Sequence, residues 1–159
     1  MNSRKPCLII DIDDTLYVHK SPLMDYHKIR PDYQLKHQLQ RISYPKFILT
    51  NAMYEHANII VNKMGVDDEF KKIYARDNMP NMKPSMDCYL SVRNDIFKEL
   101  GNTVSGYVFF DDLLDNLQSA YLFGWRTIWI SPKYKEAHNY TFVIAAFPTL
   151  KDALNSIQF

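Results

Sequence analysis

Five short apolar runs limit what this chain can become: Pro6–Ile10, Lys46–Thr50, Lys71–Tyr74, Tyr107–Phe110 and Arg126–Ile130. Each carries β-branched or aromatic residues, is too short for a typical helix and is mostly apolar on both faces. A strand buried on both sides of a parallel sheet reads this way. Helical patterning fills the gaps, at Tyr33–Ile42, Tyr54–Met64, Ser85–Leu100 and Leu113–Phe123. Gly65, Gly101 and Gly124 close the last three, where a helix C-terminus favours a left-handed residue. A further short helix is predicted over Leu150–Ile157, behind Pro148-Thr149. Strand alternating with helix implies a doubly wound, Rossmann-like α/β domain: a five-stranded parallel sheet with helices on both faces and right-handed crossovers.

At 159 residues the chain has the length of one domain, predicted over 1–159, and can bury a core without disulfides. Its net charge of +1 gives no field that would favour nucleic acid or an anionic membrane as main partner. Cys7 sits in an apolar run and Cys88 in a helical pattern, so both read as packing residues of a reducing compartment. The apolar run after "MNSRKP" is far too short for a signal peptide, and no window reaches the length of a membrane span. A cytoplasmic location is expected. No internal repeat, linker or Gly-rich phosphate loop is present, which argues against an ATPase or a dinucleotide enzyme.

The stretch "CLIIDIDDTLYVH" breaks the ordinary pattern of a buried strand. It ends in Asp11, Asp13 and Asp14, whose mutual repulsion grows once water is partly excluded, so a positive partner is expected there. In doubly wound folds ligands bind outside the C-terminal ends of the strands. Those ends carry Asp11, Thr50-Asn51 and Asp111-Asp112, while Lys83 precedes the long helix that starts near Ser85. Taken singly, these residues have ordinary readings: turn residues, a strand end, a solvated lysine, acids at a helix N-terminus. Together they place two acid pairs, a hydroxyl and a lysine at one crevice.

"DIDDTLY", "ILTNA", "KPS" and "FFDDLLDN" resemble, in order and in strand context, the four motifs of the haloacid dehalogenase (HAD) superfamily of phosphotransferases. The resemblance spans about residues 7–131, and "TLY" and "TNA" look closest to the pyrimidine 5′-nucleotidase-like branch. It implies an Mg²⁺-dependent phosphatase of phosphate monoesters working through an aspartyl-phosphate. Asp11 would be the nucleophile and Asp13 the general acid and base. Thr15 would hold the loop. Thr50 and the following amide of Asn51 would bind the phosphoryl oxygens, and Lys83 would offset their charge. Asp11, the carbonyl of Asp13 and an acid from Asp111-Asp112, with Asp112 preferred, would ligate Mg²⁺. Asn116, one helical turn beyond Asp112, would orient it or a metal-bound water.

The sequence departs from that family pattern in two respects, the cap and position 14. Nucleotidase-like members carry a helical cap between the first two motifs, and here only a short flap over residues 17–44 is available, so a minimal or absent cap is expected. Tyr17, His19, Tyr26 and His27 are the flap residues best placed to touch a leaving group. All five histidines lack metal-ligand spacing and read as surface or core residues. Position 14, often Gly in the superfamily, is Asp, which tolerates turn conformations. The implied partner is a small phosphorylated substrate, with nucleotides among the candidates and a homodimer left open. Two other readings stay in play: a phosphatase of phosphoproteins or nucleic-acid ends, and a non-catalytic phospho-binding or signalling module. Phospho-receiver modules order their acids before the lysine, whereas Lys83 here precedes Asp111-Asp112.

Overall fold

A computed structural model describes residues 4–157; the ends of the predicted 1–159 domain, residues 1–3 and 158–159, lie outside them. Six strands form one parallel sheet: β1 (Lys5–Ile10), β2 (Lys46–Leu49), β3 (Lys72–Tyr74), β4 (Val104–Asp111), β5 (Arg126–Ile130) and β6 (Ala145–Phe147). The order is β3-β2-β1-β4-β5-β6, with every pair parallel. The predicted five-stranded sheet is therefore corrected to six. The added strand, Ala-Ala-Phe, is three residues long, only partly buried and lies at an edge, so it carries neither the length nor the apolar run of its neighbours. β4 also begins earlier than predicted, because Val104-Ser105-Gly106 pairs with β1 without being apolar enough to show in sequence.

Strand alternation divides the core in two. Leu8, Ile10, Ile48, Phe110 and Ile128 face α1 (Tyr33–Arg41), α2 (Tyr54–Met64) and α5 (Leu150–Ser156). Cys7, Ile9, Phe47, Phe109 and Trp129 face α3 (Met86–Leu100) and α4 (Leu114–Phe123). Burial pushes the Cys7 thiol up to about 12 and that of Cys88 up to about 11, with Lys71 and Lys83 respectively opposing, so both stay protonated packing groups. Helices α2 and α4 end at Gly65 (φ 73°) and Gly124 (φ 103°), in the left-handed conformation that glycine adopts without strain. Gly101 also has positive φ but ψ −136°, and leads into a 3-10 turn instead of a left-handed cap. Ser85 occupies the N-cap of α3 without making a side-chain capping bond, whereas Thr149 caps α5 by accepting the Asp152 N–H.

The chain leaves β1 in one direction across β2 and β3, then returns to place β4 on the other side of β1. That reversal opens a crevice beyond the C-terminal ends of β1 and β4. Of the 17–44 segment, Tyr33–Arg41 is the crossover helix α1, anchored by buried Leu35 and Leu39. The remainder is irregular apart from a 3-10 turn at Tyr26–Lys28. Among the described residues no helix is long and apolar enough to cross a membrane.

Candidate functional site

Asp11 follows directly on β1, and Asp111 closes β4, its neighbour in the sheet. Both side chains point at the ammonium of Lys83, which donates to Asp11 Oδ1 at 2.9 Å, Asp111 Oδ2 at 2.8 Å and the Leu49 carbonyl at 2.9 Å. Three protons meet three acceptors, which is what a lysine only 4% exposed requires. Burial works against its charge, yet Asp11 and Asp111 outweigh it and raise Lys83 above the ordinary lysine range. The lysine is held from behind by Asn51, whose side chain accepts the Lys83 N–H and donates to the Lys83 carbonyl, each at 3.0 Å.

Asp111 is fully engaged. Its Oδ2 also accepts from Asn116 at 3.2 Å, and its Oδ1 accepts the Leu113 N–H at 2.8 Å. Asn116 thus bonds Asp111, where the sequence predicts a role toward Asp112 or a metal-bound water. Asp112 has fewer commitments: its Oδ1 lies 3.3 Å from the Thr15 hydroxyl, which is also 3.2 Å from Asp11 Oδ2. Trp129 pins the Asp112 carbonyl through its indole N–H at 2.9 Å, a polar use of a residue that reads as pure core. Buried Thr50 accepts the Ala52 N–H at 3.0 Å, and its own proton finds no acceptor among the described residues.

Oxygens of Asp11, Asp111 and Asp112 lie within 4.8 Å of one another. Three carboxylates facing one ammonium leave two negative charges in excess, the charge of a divalent cation. Protonation reflects that excess. Burial, then Asp111, pushes Asp112 up to about 6. Burial likewise raises Asp11 well above the carboxylate range, with Asp111 and Asp112 adding to it and Lys83 opposing. The Asp13 carbonyl accepts no hydrogen bond from the described residues, so a fourth hard oxygen is available nearby. This donor set fits Mg²⁺, which prefers oxygen and keeps part of its water.

Asp13 points elsewhere. Its Oδ1 lies 2.6 Å from His19 Nε2 and 2.9 Å from His56 Nε2, and Tyr26 Oη lies 2.7 Å from His56 Nδ1. Asp14 adopts φ 60°, a turn conformation that Asp tolerates, and its Oδ1 accepts the His19 N–H at 3.1 Å. Sequence reasoning placed His19 and Tyr26 near the leaving group but assigned no partner to either histidine. His56 is 43 residues from Asp13 and on another element, and no spacing signal links the two. His27 stays apart: it is exposed on the 3-10 turn, with its N–H donated to Asp25 Oδ1.

No family model matches the chain, and no curated protein matches it. Solved structures do. An L-2-haloacid dehalogenase from Xanthobacter autotrophicus, with chloropropionic acid covalently bound, aligns with TM-score 0.60 and 19% identity over 82% of this chain and 62% of its own. A predicted HAD-hydrolase from Bacillus subtilis bound to magnesium gives 0.60 and 17% over 77% of this chain and 52% of its own. A predicted phosphoglycolate phosphatase from Haemophilus somnus gives 0.62 and 16% over 79% and 56%. The fold is thus the HAD-like Rossmann-type core. The chain spans between about half and three fifths of the length of these three proteins.

Proposed function

We propose that the chain is an Mg²⁺-dependent phosphatase that transfers the phosphoryl group of a monoester to Asp11 and then to water. The observation that carries this reading is the Lys83 ammonium bridging Asp11 and Asp111 at the strand ends, beside an Asp112 whose side chain takes a hydrogen bond only from the Thr15 hydroxyl among the described residues. It presents a nucleophilic carboxylate, a fixed cation and an open cation site together. Asp11 Oδ2, which accepts from the Thr15 hydroxyl and not from Lys83, attacks phosphorus as the bond to the leaving oxygen breaks, and Asp13 gives that oxygen a proton. Water then attacks phosphorus, Asp13 takes its proton, and the Asp11–phosphorus bond breaks to release phosphate. Lys83 offsets charge on the phosphoryl oxygens, while Thr50, with its uncommitted hydroxyl proton, and the amide of Asn51 donate to them.

Asp11, the Asp13 carbonyl and Asp112 would hold Mg²⁺, with Asp111 kept behind them by Lys83, Asn116 and Leu113. When bound, the ion neutralises charge that builds on the transferring group. Dehalogenation, the activity named for some proteins of this fold, fits the site less well. A departing halide needs neither a proton donor nor a metal ion, whereas this site pairs Asp13 with a cation-binding acid cluster. The pyrimidine 5′-nucleotidase-like resemblance favours a small phosphate monoester, whereas the short 17–44 flap leaves the crevice open to phosphoproteins or nucleic-acid ends as the second reading. Hydrolysis of 4-nitrophenyl phosphate with Mg²⁺ and with excess chelator tests the activity, and a panel of phosphorylated metabolites, phosphopeptides and end-phosphorylated oligonucleotides tests the substrate class. Full turnover in chelator would overturn the metal-dependent reading.

A further inference from the structure

The side chain of Asp13 is held on one edge only. Oδ1 lies within hydrogen-bond distance of two imidazole nitrogens, His19 Nε2 at 2.6 Å and His56 Nε2 at 2.9 Å, while Oδ2 takes no hydrogen bond from the described residues. The two histidines come from different elements, the loop after β1 and the first turn of α2, so the carboxyl is gripped from two directions. Neither ring is loose. His19 packs edge-on against Tyr17, with ring centroids 5.0 Å apart at 88°. His56 is fixed at its far nitrogen by Tyr26 Oη, 2.7 Å from Nδ1. The histidine side chains are 23% and 20% exposed, so these bonds are partly shielded from competing water.

A second cation site does not explain the cluster. The only group of metal-ligating side chains compact enough to hold an ion among the described residues is Asp11, Asp111 and Asp112, which leaves out both imidazoles. Hydrogen bonding explains it directly. If Tyr26 donates its hydroxyl proton to a bare Nδ1, the His56 proton sits on Nε2, where Asp13 Oδ1 can accept it.

We propose that His19 and His56, the latter held in its Nε2-protonated form by Tyr26, are positioning residues. By occupying Oδ1 they leave Oδ2 as the Asp13 oxygen that exchanges a proton with leaving group and water. This inference rests on the phosphatase reading, since it assigns Asp13 the proton transfer. The flap thereby gains a role, because Tyr26 brings the 3-10 turn to bear on the acid through His56.

The test compares kcat/KM for 4-nitrophenyl phosphate with that for glycerol 2-phosphate, because only the poorly leaving alkoxide depends heavily on a placed proton. His56→Leu should lower kcat/KM for the alkyl ester about a hundredfold, the cost of misplacing a catalytic group by about an ångström, and that for the aryl ester far less. His56→Gln, which keeps an N–H at the same reach, should recover most of the loss, and His19→Leu and His19→Gln should repeat the pattern. Tyr26→Phe should shift the same ratio in the same sense by a smaller factor. Long-range ¹H–¹⁵N correlation of the parent's histidine rings should show His56 protonated on Nε2. Equal losses on both esters, no recovery with Gln, or His56 protonated on Nδ1 would overturn the inference. A parent inactive on both esters would instead defeat the phosphatase reading, and the tautomer measurement would still decide the arrangement.

Discussion

Lys83 and Asp13 stand at the same crevice and are held in opposite ways. Lys83 is buried, with every ammonium proton placed on an acceptor supplied by a strand end. Asp13 is 36% exposed in its side chain, grips two histidines with one oxygen and leaves the other uncommitted. A buried charge tolerates no open valence, whereas a group that must pass a proton back and forth needs one. The difference separates the part of the site that the sheet fixes from the part that the loops assemble.

Asp11 belongs to the first part, so its removal should cost most. Asp11→Asn keeps the shape but not the nucleophile, and kcat should fall by at least about a thousandfold in steady-state assays. Lys83→Met sharpens the contrast through stability: it leaves Asp11 and Asp111 buried without their cation and should lower unfolding free energy by about 3–5 kcal/mol in denaturant titrations of the metal-free protein. A Lys83→Met protein as stable as the parent would mean the lysine is not held as described.

The two acids after β4 divide along the same line. Asp111→Asn disturbs a carboxylate bonded to Lys83, Asn116 and Leu113 and should act mainly on stability. Asp112→Asn should weaken Mg²⁺ binding in calorimetric titrations while leaving the fold stable. Affinities that fell equally in both variants would erase the distinction. A smaller effect follows from protonation. With Asp112 pushed up to about 6, the folded metal-free chain keeps a proton that the unfolded chain releases near 3.8. Stability should therefore fall as pH rises from about 4 through about 6, and the fall should shrink in Asp112→Asn and in saturating Mg²⁺. Melting curves of parent and variant across that range measure it.

The sheet-fixed part was legible because buried strands leave an apolar signature and charges at their ends stand out against it. Asp11, Lys83, Asp111 and Asp112 all met at one crevice as the strand ends required. The loop-assembled part was legible only in outline: His19 and Tyr26 were expected near the leaving group, but neither His56 nor the pairing with Asp13 was. His19, Tyr26 and His56 converge on Asp13 through a turn, a 3-10 segment and a helix start that share no period. Asn51 shows the same limit in miniature: its side chain clamps the Lys83 backbone across 32 residues, a contact that no local pattern encodes. β6 escaped notice because an edge strand of three partly buried residues needs little hydrophobicity.

Phosphoryl transfer through Asp11 leaves an acyl phosphate that can be trapped. Asp13→Asn should slow the second step by removing its base, so this variant mixed with 4-nitrophenyl phosphate and Mg²⁺, acid-quenched and peptide-mapped should carry one phosphoryl group, on Asp11. Turnover by the parent with no phosphoryl group on Asp11 in either protein, or with the group on another residue, would contradict the account.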